Sequence, residues 1–228
     1  MNLATPYAAR EMYQRAGWTI AFTAVFFYVN YAEYPGPATT ISLLLVLLTG
    51  AFIAAGYGLH WVATTGQQMV RDQILDAAQI SGTERVLCCN QELALAAANR
   101  MKSGKIIAVG ETAANEAARD KAKTLGLQDK VRFEAADFAK LTYPDSNFDV
   151  VLASRAFEEL STAQMTRAIQ ELVRVLKPGG RCVVHAVADW NQCVSVLQDA
   201  NLQAVTPVPS SLPLGLGGRI ISCQKVVG

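Results

Sequence analysis

The sequence predicts an α/β protein: a doubly wound, mostly parallel sheet of seven strands, preceded by a two-helix transmembrane hairpin. Three observations predict it. Of the 20 basic and 19 acidic residues, three precede residue 16 and 35 follow residue 70, so the 55 residues from Ala16 to Val70 hold only Glu33. From residue 66 onward, short apolar runs alternate with runs of helical period, the pattern of buried strands joined by crossover helices. The last two strand-like runs have no helix between them, which makes them a hairpin with one antiparallel member.

Over the 228 residues, 51% are hydrophobic and 17% charged, and the mean hydropathy is +0.21. That composition excludes a disordered or collagen-like chain. A net charge of +1 excludes a globally basic protein built to cover nucleic acid. The excess apolar content belongs to the first part. Residues 16–32 (AGWTIAFTAVFFYVNYA) and 41–63 (ISLLLVLLTGAFIAAGYGLHWVA) carry no formal charge over 17 and 23 positions, lengths that cross a bilayer core. Between them EYPGPATT brings Pro35, Gly36 and Pro37 together, expected to stop one helix before the next begins. The alternative, a hairpin buried in a soluble protein, fits poorly with so long an uncharged run.

The expected organisation is an N-terminal segment (1–15), a hairpin (16–64) with spans near 16–32 and 41–63, and a domain over 65–228. Arg10 and Arg15 precede the first span and Arg71 follows the second, whereas the connecting loop has neither Lys nor Arg. Both termini are therefore expected on the cytoplasmic or matrix face. Two arginines, one acid and several alanines in residues 1–15 admit a mitochondrial address, with the inner membrane as the candidate. Small residues four apart, Gly50/Ala54 and Ala51/Ala55, favour close approach of another helix. The expected partners are the bilayer and other membrane-protein subunits, with no nucleic acid.

In the domain, 67–80 reads as an amphipathic helix with Val70, Ile74, Ala77 and Ala78 on one face. Then come a strand at 85–89 (RVLCC), a helix at 91–101, a strand at 105–109 (KIIAV) and a helix at 112–125 closed by Gly126. Strands follow at 131–135 and 148–153. Ser161 and Gln164 have the spacing of a capping box, opening a helix to Leu176. Lys177-Pro178-Gly179-Gly180 ends that helix and leads to a fifth strand at 181–187. A helix at 189–200 and strands at 202–206 and 219–225 complete the domain.

Several chemistries find no support. Five cysteines include no CxxC and have only two histidines beside them, so no zinc site is expected. Cys88 and Cys89 read as small core residues, and His185 as a packed core histidine. GxSxG and P-loop motifs are absent. The glycines at 215–218 precede no helix and read as a hairpin loop. Lys121, Lys123, Lys130 and Arg132 form a modest basic cluster, read as solvated.

The order of elements, with DKVRFEAADFAKLTYPDSNFDVVLAS and then LVRVLKPGGRCVVHAV, resembles the class I S-adenosylmethionine-dependent methyltransferase family, chiefly its small-molecule, quinone-pathway branch. The likeness covers about residues 67–225. It implies a Rossmann-like methyltransferase sheet with the cofactor across the carboxyl ends of the first four strands. By that resemblance, Cys89 and Asn90 stand at the cofactor turn, Glu111 at the ribose-side acid, and Asp137 with Phe138 at the adenine side. Arg155 and Glu158 stand on the substrate side, and no residue is assigned to catalysis. The sequence departs from the pattern at one place. Where the family has a Gly-x-Gly-x-Gly-like turn, this chain reads Cys88-Cys89-Asn90-Gln91-Glu92, about three residues short, with no glycine between Gly82 and Gly104. Of the turn residues, Asn90 is the one suited to left-handed backbone.

Two functions follow. One is a membrane-anchored, catalytically inactive methyltransferase-fold protein acting as an accessory subunit of a membrane complex, with S-adenosylmethionine not bound. The other is an active methyltransferase acting on a hydrophobic membrane substrate such as a quinone precursor, lipid or sterol.

Overall fold

In the computed structural model, the described residues are 35–61, 65–110, 112–158, 160–188, 190–200, 202–212 and 218–227, with scattered positions between 14 and 28. The chain divides into two units, Met1–Gln68 and Met69–Gly228.

In the first unit, helix α1 (Pro35–Trp61) is 27 residues long. Its start corrects the sequence expectation, because Pro35, Gly36 and Pro37 form its first turn. Proline is tolerated there: the amide it lacks has no intrahelical acceptor, and its fixed φ is already helical. Within α1, Leu43–Trp61 is long and apolar enough to cross a membrane. Leu43, Leu44, Val46, Leu47 and Ile53 are exposed. Thr49 is buried, its hydroxyl donating to Leu45 O at 2.8 Å, while Gly50, Ala51, Ala54 and Ala55 stay exposed. The expected first span falls mostly outside the described residues.

The second unit is a three-layer sandwich. Its elements are α2 (Gln67–Ala78), β1 (Arg85–Cys88), α3 (Gln91–Arg100), β2 (Lys105–Gly110), α4 (Thr112–Thr124), β3 (Val131–Ala135), β4 (Phe148–Ser154), α5 (Thr162–Val175), β5 (Leu176–Ala186), α6 (Trp190–Asp199), β6 (Leu202–Pro209) and β7 (Arg219–Lys225). The sheet runs β3-β2-β1-β4-β5-β7-β6. Strands β1 to β5 pair in parallel, and β7 is antiparallel to both neighbours, β5 and β6.

Alternate residues of each inner strand serve two cores. Val86, Ile106, Val150 and Val183 face α2, α3 and α4, and Leu87, Ile107, Val151 and Val184 face α5 and α6. On α2 the buried face is Val70, Ile74, Leu75 and Ala78. The capping box at Ser161 forms in both directions. Strand β5 begins five residues earlier than the sequence indicates. Leu176 already pairs with Phe148, and Lys177–Gly180 bulge outward before pairing resumes at Val150 and Arg181, with Gly179 supplying φ +74°. Lys225 of β7 closes the end of α5, its ammonium donating to Val173 O and Leu176 O at 2.7 Å each.

One carboxylate organises the amino-terminal edge of the sheet. Glu84 accepts the amides of Ser81, Gly82 and Thr83 at 2.7, 2.8 and 3.0 Å and pairs with Arg181 at 3.1 Å. The carbonyl of Gly82 in turn takes the amides of Lys102, Ser103 and Gly104. Burial alone would raise the Glu84 carboxyl, but the converging Ser81 and Gly82 donors hold it down to about 2. A carboxyl lowered by folding adds stability that is complete above its unfolded pKa and is lost as pH falls through its folded one. Acid should therefore remove this contribution between about 4.5 and about 2. In thermal unfolding followed by circular dichroism, Glu84→Gln should flatten that part of the profile. Glu84→Ala should cost on the order of 1–3 kcal/mol at neutral pH, because several donors lose their acceptor.

Candidate functional site

The parallel strands end together at one edge. Cys88 of β1 lies beside Ala108 of β2 and Leu152 of β4, Gly110 beside Ala135 of β3, and Ser154 beside His185 of β5. In a doubly wound sheet this carboxyl edge, at the switch in strand order between β1 and β4, is where ligands bind. Cys89, Asn90, Asp137, Phe138, Arg155 and Glu158 all follow strand ends on it, and the structure gives each a local partner. Glu111, next after Gly110, lies outside the described residues.

The turn from β1 to α3 has two residues. The Cys89 amide donates to Leu152 O at 2.8 Å, which extends the ladder and buries the side chain. Asn90 is extended (φ −157°, ψ 126°) rather than left-handed. Its side chain caps α3, accepting from Leu93 N at 2.9 Å, and its carbonyl accepts from Ala94 N and from the Cys88 thiol. Helix α3 then starts at Gln91, whose carboxamide lies on Gly110. A Cβ at Gly110 would stand 1.9 Å from Gln91 Nε2 and 3.0 Å from its Cδ. A side chain at position 110 would therefore have to displace the Gln91 carboxamide. The adjacent thiols are held protonated, because burial pushes Cys88 up to about 12 and, with Cys88 beside it, raises Cys89 well above the usual thiol range.

The loop between β3 and β4 is fastened from behind. Asp137 is exposed, its carboxylate accepting from Ala139 N at 2.8 Å and its carbonyl from Lys140 N at 3.0 Å, an Asx-type turn. Phe138 is half-buried against the core shared with α5. Arg174 donates to Leu141 O at 3.0 Å and Tyr143 O at 2.9 Å and pairs with Asp145 and Glu171. Glu171 also accepts from Leu141 N. The Arg174 hydrogen bond holds the Glu171 carboxyl below its usual range. Sequence reasoning missed this clamp and the Gln91 contact. The i, i+3 spacing of Glu171 and Arg174 was visible, but their reach to a loop thirty residues away was not.

On the substrate side, Arg155 occupies left-handed backbone (φ 56°), and its amide donates to His185 O at 2.9 Å. Its guanidinium is spent on both oxygens of Glu158, at 3.1 and 3.0 Å. The two expected substrate residues therefore meet each other. His185 is buried, its Nδ1 3.1 Å from Ser154 Oγ. The cavity that Arg155, Glu158, His185 and Gln192 line measures about 30 Å³, room for one or two waters. A far larger cleft, about 1070 Å³, opens at the amino ends of β1, β2 and β3 and along β3.

Comparison with known proteins places this geometry. Residues 85–184 match the family described as methyltransferase domain. The ubiquinone/menaquinone biosynthesis C-methyltransferase UbiE of Stutzerimonas stutzeri is 39% identical over 95 residues, 41% of this chain and 36% of that protein. The matched stretch spans under half the length of the curated relatives it matches. Among solved structures, the N-methyltransferase NodS from Bradyrhizobium japonicum superposes with TM-score 0.61 at 16% identity, covering 72% of this chain and 99% of NodS. The [4+2]-cyclase SpnF gives 0.58 at 21% identity, covering 70% and 81%. The second unit therefore has a Rossmann-like methyltransferase fold, and residues 85–184 within it resemble methyltransferase domains in sequence. A cyclase on the same fold shows that the fold does not by itself fix the chemistry.

The Gln91–Gly110 contact predicts a coupling. Gly110→Ala should destabilise the wild-type chain, and in a Gln91→Ala background the same substitution should cost about 0.5–1 kcal/mol less. A double-mutant cycle from thermal or denaturant unfolding measures the difference.

Proposed function

We propose that this chain is a membrane-anchored protein of the methyltransferase fold that does not transfer methyl groups and serves as an accessory subunit of a membrane complex. The observation that carries this reading is the Gln91 carboxamide lying on Gly110 across a two-residue turn. A cofactor across these strand ends needs bare backbone to approach at that turn. Here Asn90 takes the Leu93 amide of the first helical turn, Cys89 points into the core, and a side chain covers the end of β2. The residues present do not fit S-adenosylmethionine in the manner of the fold. Asp137 is the exception, exposed and with acceptor capacity left.

The anchor in this reading is the apolar stretch that includes Leu43–Trp61. The domain lies on the cytoplasmic or matrix face, with the mitochondrial inner membrane as the candidate, and the exposed Gly50, Ala51, Ala54 and Ala55 supply a surface for neighbouring subunits.

A second reading, an active methyltransferase on a quinone precursor, lipid or sterol, is favoured by the similarity to a quinone-pathway C-methyltransferase and by Asp137. Rate enhancement would then come mainly from in-line positioning at the carboxyl edge.

Calorimetry or tritiated S-adenosylmethionine binding on the full chain in detergent separates the two. The first reading predicts no saturable binding up to about 1 mM and co-purification at fixed stoichiometry with other membrane proteins. A dissociation constant near 1 μM, about −8 kcal/mol, would overturn it.

A further inference from the structure

The large cleft opens at the amino ends of β1, β2 and β3 and runs along β3 as far as Glu134 and Ala135, and its charge is one-sided. Six cations line it, Arg85, Lys105, Arg119, Lys123, Lys130 and Arg132, against three carboxylates, Glu84, Asp129 and Glu134. Two of those carboxylates are already taken, Glu84 by Arg181 and Glu134 by Arg132. Three of the cations are held by neutral groups. Lys105 donates to Asp129 O at 2.7 Å, Lys130 to Met101 O at 2.7 Å and Arg119 to Phe133 O at 2.7 Å. Among the described residues, none of these three has a carboxylate within ion-pair distance. Their positions are fixed and their charge is left uncompensated.

Strand register arranges part of this charge in a row. Arg85 pairs with Lys105 across β1 and β2, and Ile106 pairs with Val131, which sets Lys105 beside Lys130. Neighbouring strands are about 4.8 Å apart, so three cations follow one another across about 10 Å of the sheet's amino edge. Like charges side by side oppose one another, and a counter-charge laid along the row would relieve that repulsion. A compact phosphate asks for donors converging on one point. A row bordering an open cleft suits an extended polyanion, and an extended polypeptide advances about 3.3 Å per residue, so acidic side chains at successive and alternate residues, about 3.3 and 6.6 Å apart, bracket the spacing of the row.

We propose that this amino-edge cleft is a docking surface for an acidic, extended segment of a partner protein. The cations are preorganised by main-chain carbonyls, so little side-chain freedom is lost when the segment binds. The row of Arg85, Lys105 and Lys130 lies at the amino ends of the strands, so docking on it leaves the carboxyl ends of β1 and β4 uncovered.

Fluorescence anisotropy with fluorescein-labelled deca-glutamate, on the full chain in nanodiscs of neutral lipid, tests the proposal. The expected result is saturable binding that weakens steeply with salt. It should weaken at least about tenfold in Lys105→Gln/Arg119→Gln/Lys130→Gln, whose amides can keep donating to the same carbonyls. Charge reversals outside the cleft, Lys140→Glu and Arg167→Glu, should change it by less than about twofold. Circular dichroism confirms that each variant is folded, and Lys105→Glu alone serves if the triple variant is not. Equal losses in the outside variants, or undiminished binding in the cleft variants, would overturn the proposal. Binding of inositol hexakisphosphate without binding of deca-glutamate would overturn it in favour of a phosphate ligand.

Discussion

Two residues separate the end of β1 from the start of α3, and the shortness of that turn governs the carboxyl edge of the sheet. A longer, glycine-rich turn would carry the chain away from the strand ends before the helix begins, leaving main-chain amides facing an open crevice. With Cys89 committed to the ladder and Asn90 to the cap, the helix begins at once. Its first side chain, Gln91, lies across the end of β2 against Gly110. The rest of the edge is equally self-contained. Arg155 is engaged by Glu158, Asp137 by its own turn, and the loop behind it by Arg174. Of the polar groups expected to meet ligands, Arg155 and Glu158 meet each other, and Asp137 keeps an exposed carboxylate.

The two edges of the sheet therefore differ in kind. At the carboxyl edge, hydrogen bonds close locally and the cavity on the substrate side holds little more than water. At the amino edge, Glu84 and Gly82 gather the loops before β1 and β2 into one knot, and beside that knot Lys105 and Lys130 are held by main-chain carbonyls with no carboxylate in ion-pair distance among the described residues. Among the described residues, the larger surplus of cations lies along the amino-edge cleft.

Much of the architecture was legible in the sequence because its signals are local. Buried parallel strands read as short apolar runs, helices as 3.6-residue periodicity, and the Ser161–Gln164 box marked a helix start that formed as expected. The failures were those of punctuation. Pro35-Gly36-Pro37 reads as a break but serves as a first helical turn, and Lys177–Gly180 reads as a linker but bulges within a strand already paired at Leu176. Both turn on what lies next to the segment in space. At the site, the missing glycine turn could be read directly, whereas the Gln91 contact could not, since it depends on how closely α3 and β2 approach. The Arg174 clamp, too, joins parts of the chain about thirty residues apart.

The position of β7 bears on how the domain is made. Of all the strands it is synthesised last, yet it lies inside the sheet between β5 and β6, and through Lys225 it also finishes the end of α5. Until it emerges from the ribosome, β5 presents an edge of unpaired main-chain groups from Arg181 to Ala186, and β6 has no neighbour to pair with. Such an edge invites pairing with other chains. The apolar segment around α1 precedes it by more than 150 residues, so that segment, as the proposed anchor, would enter the bilayer while the sheet is still incomplete. Nascent chains would then be held apart along the membrane during the interval in which their unfinished edges are most prone to aggregate.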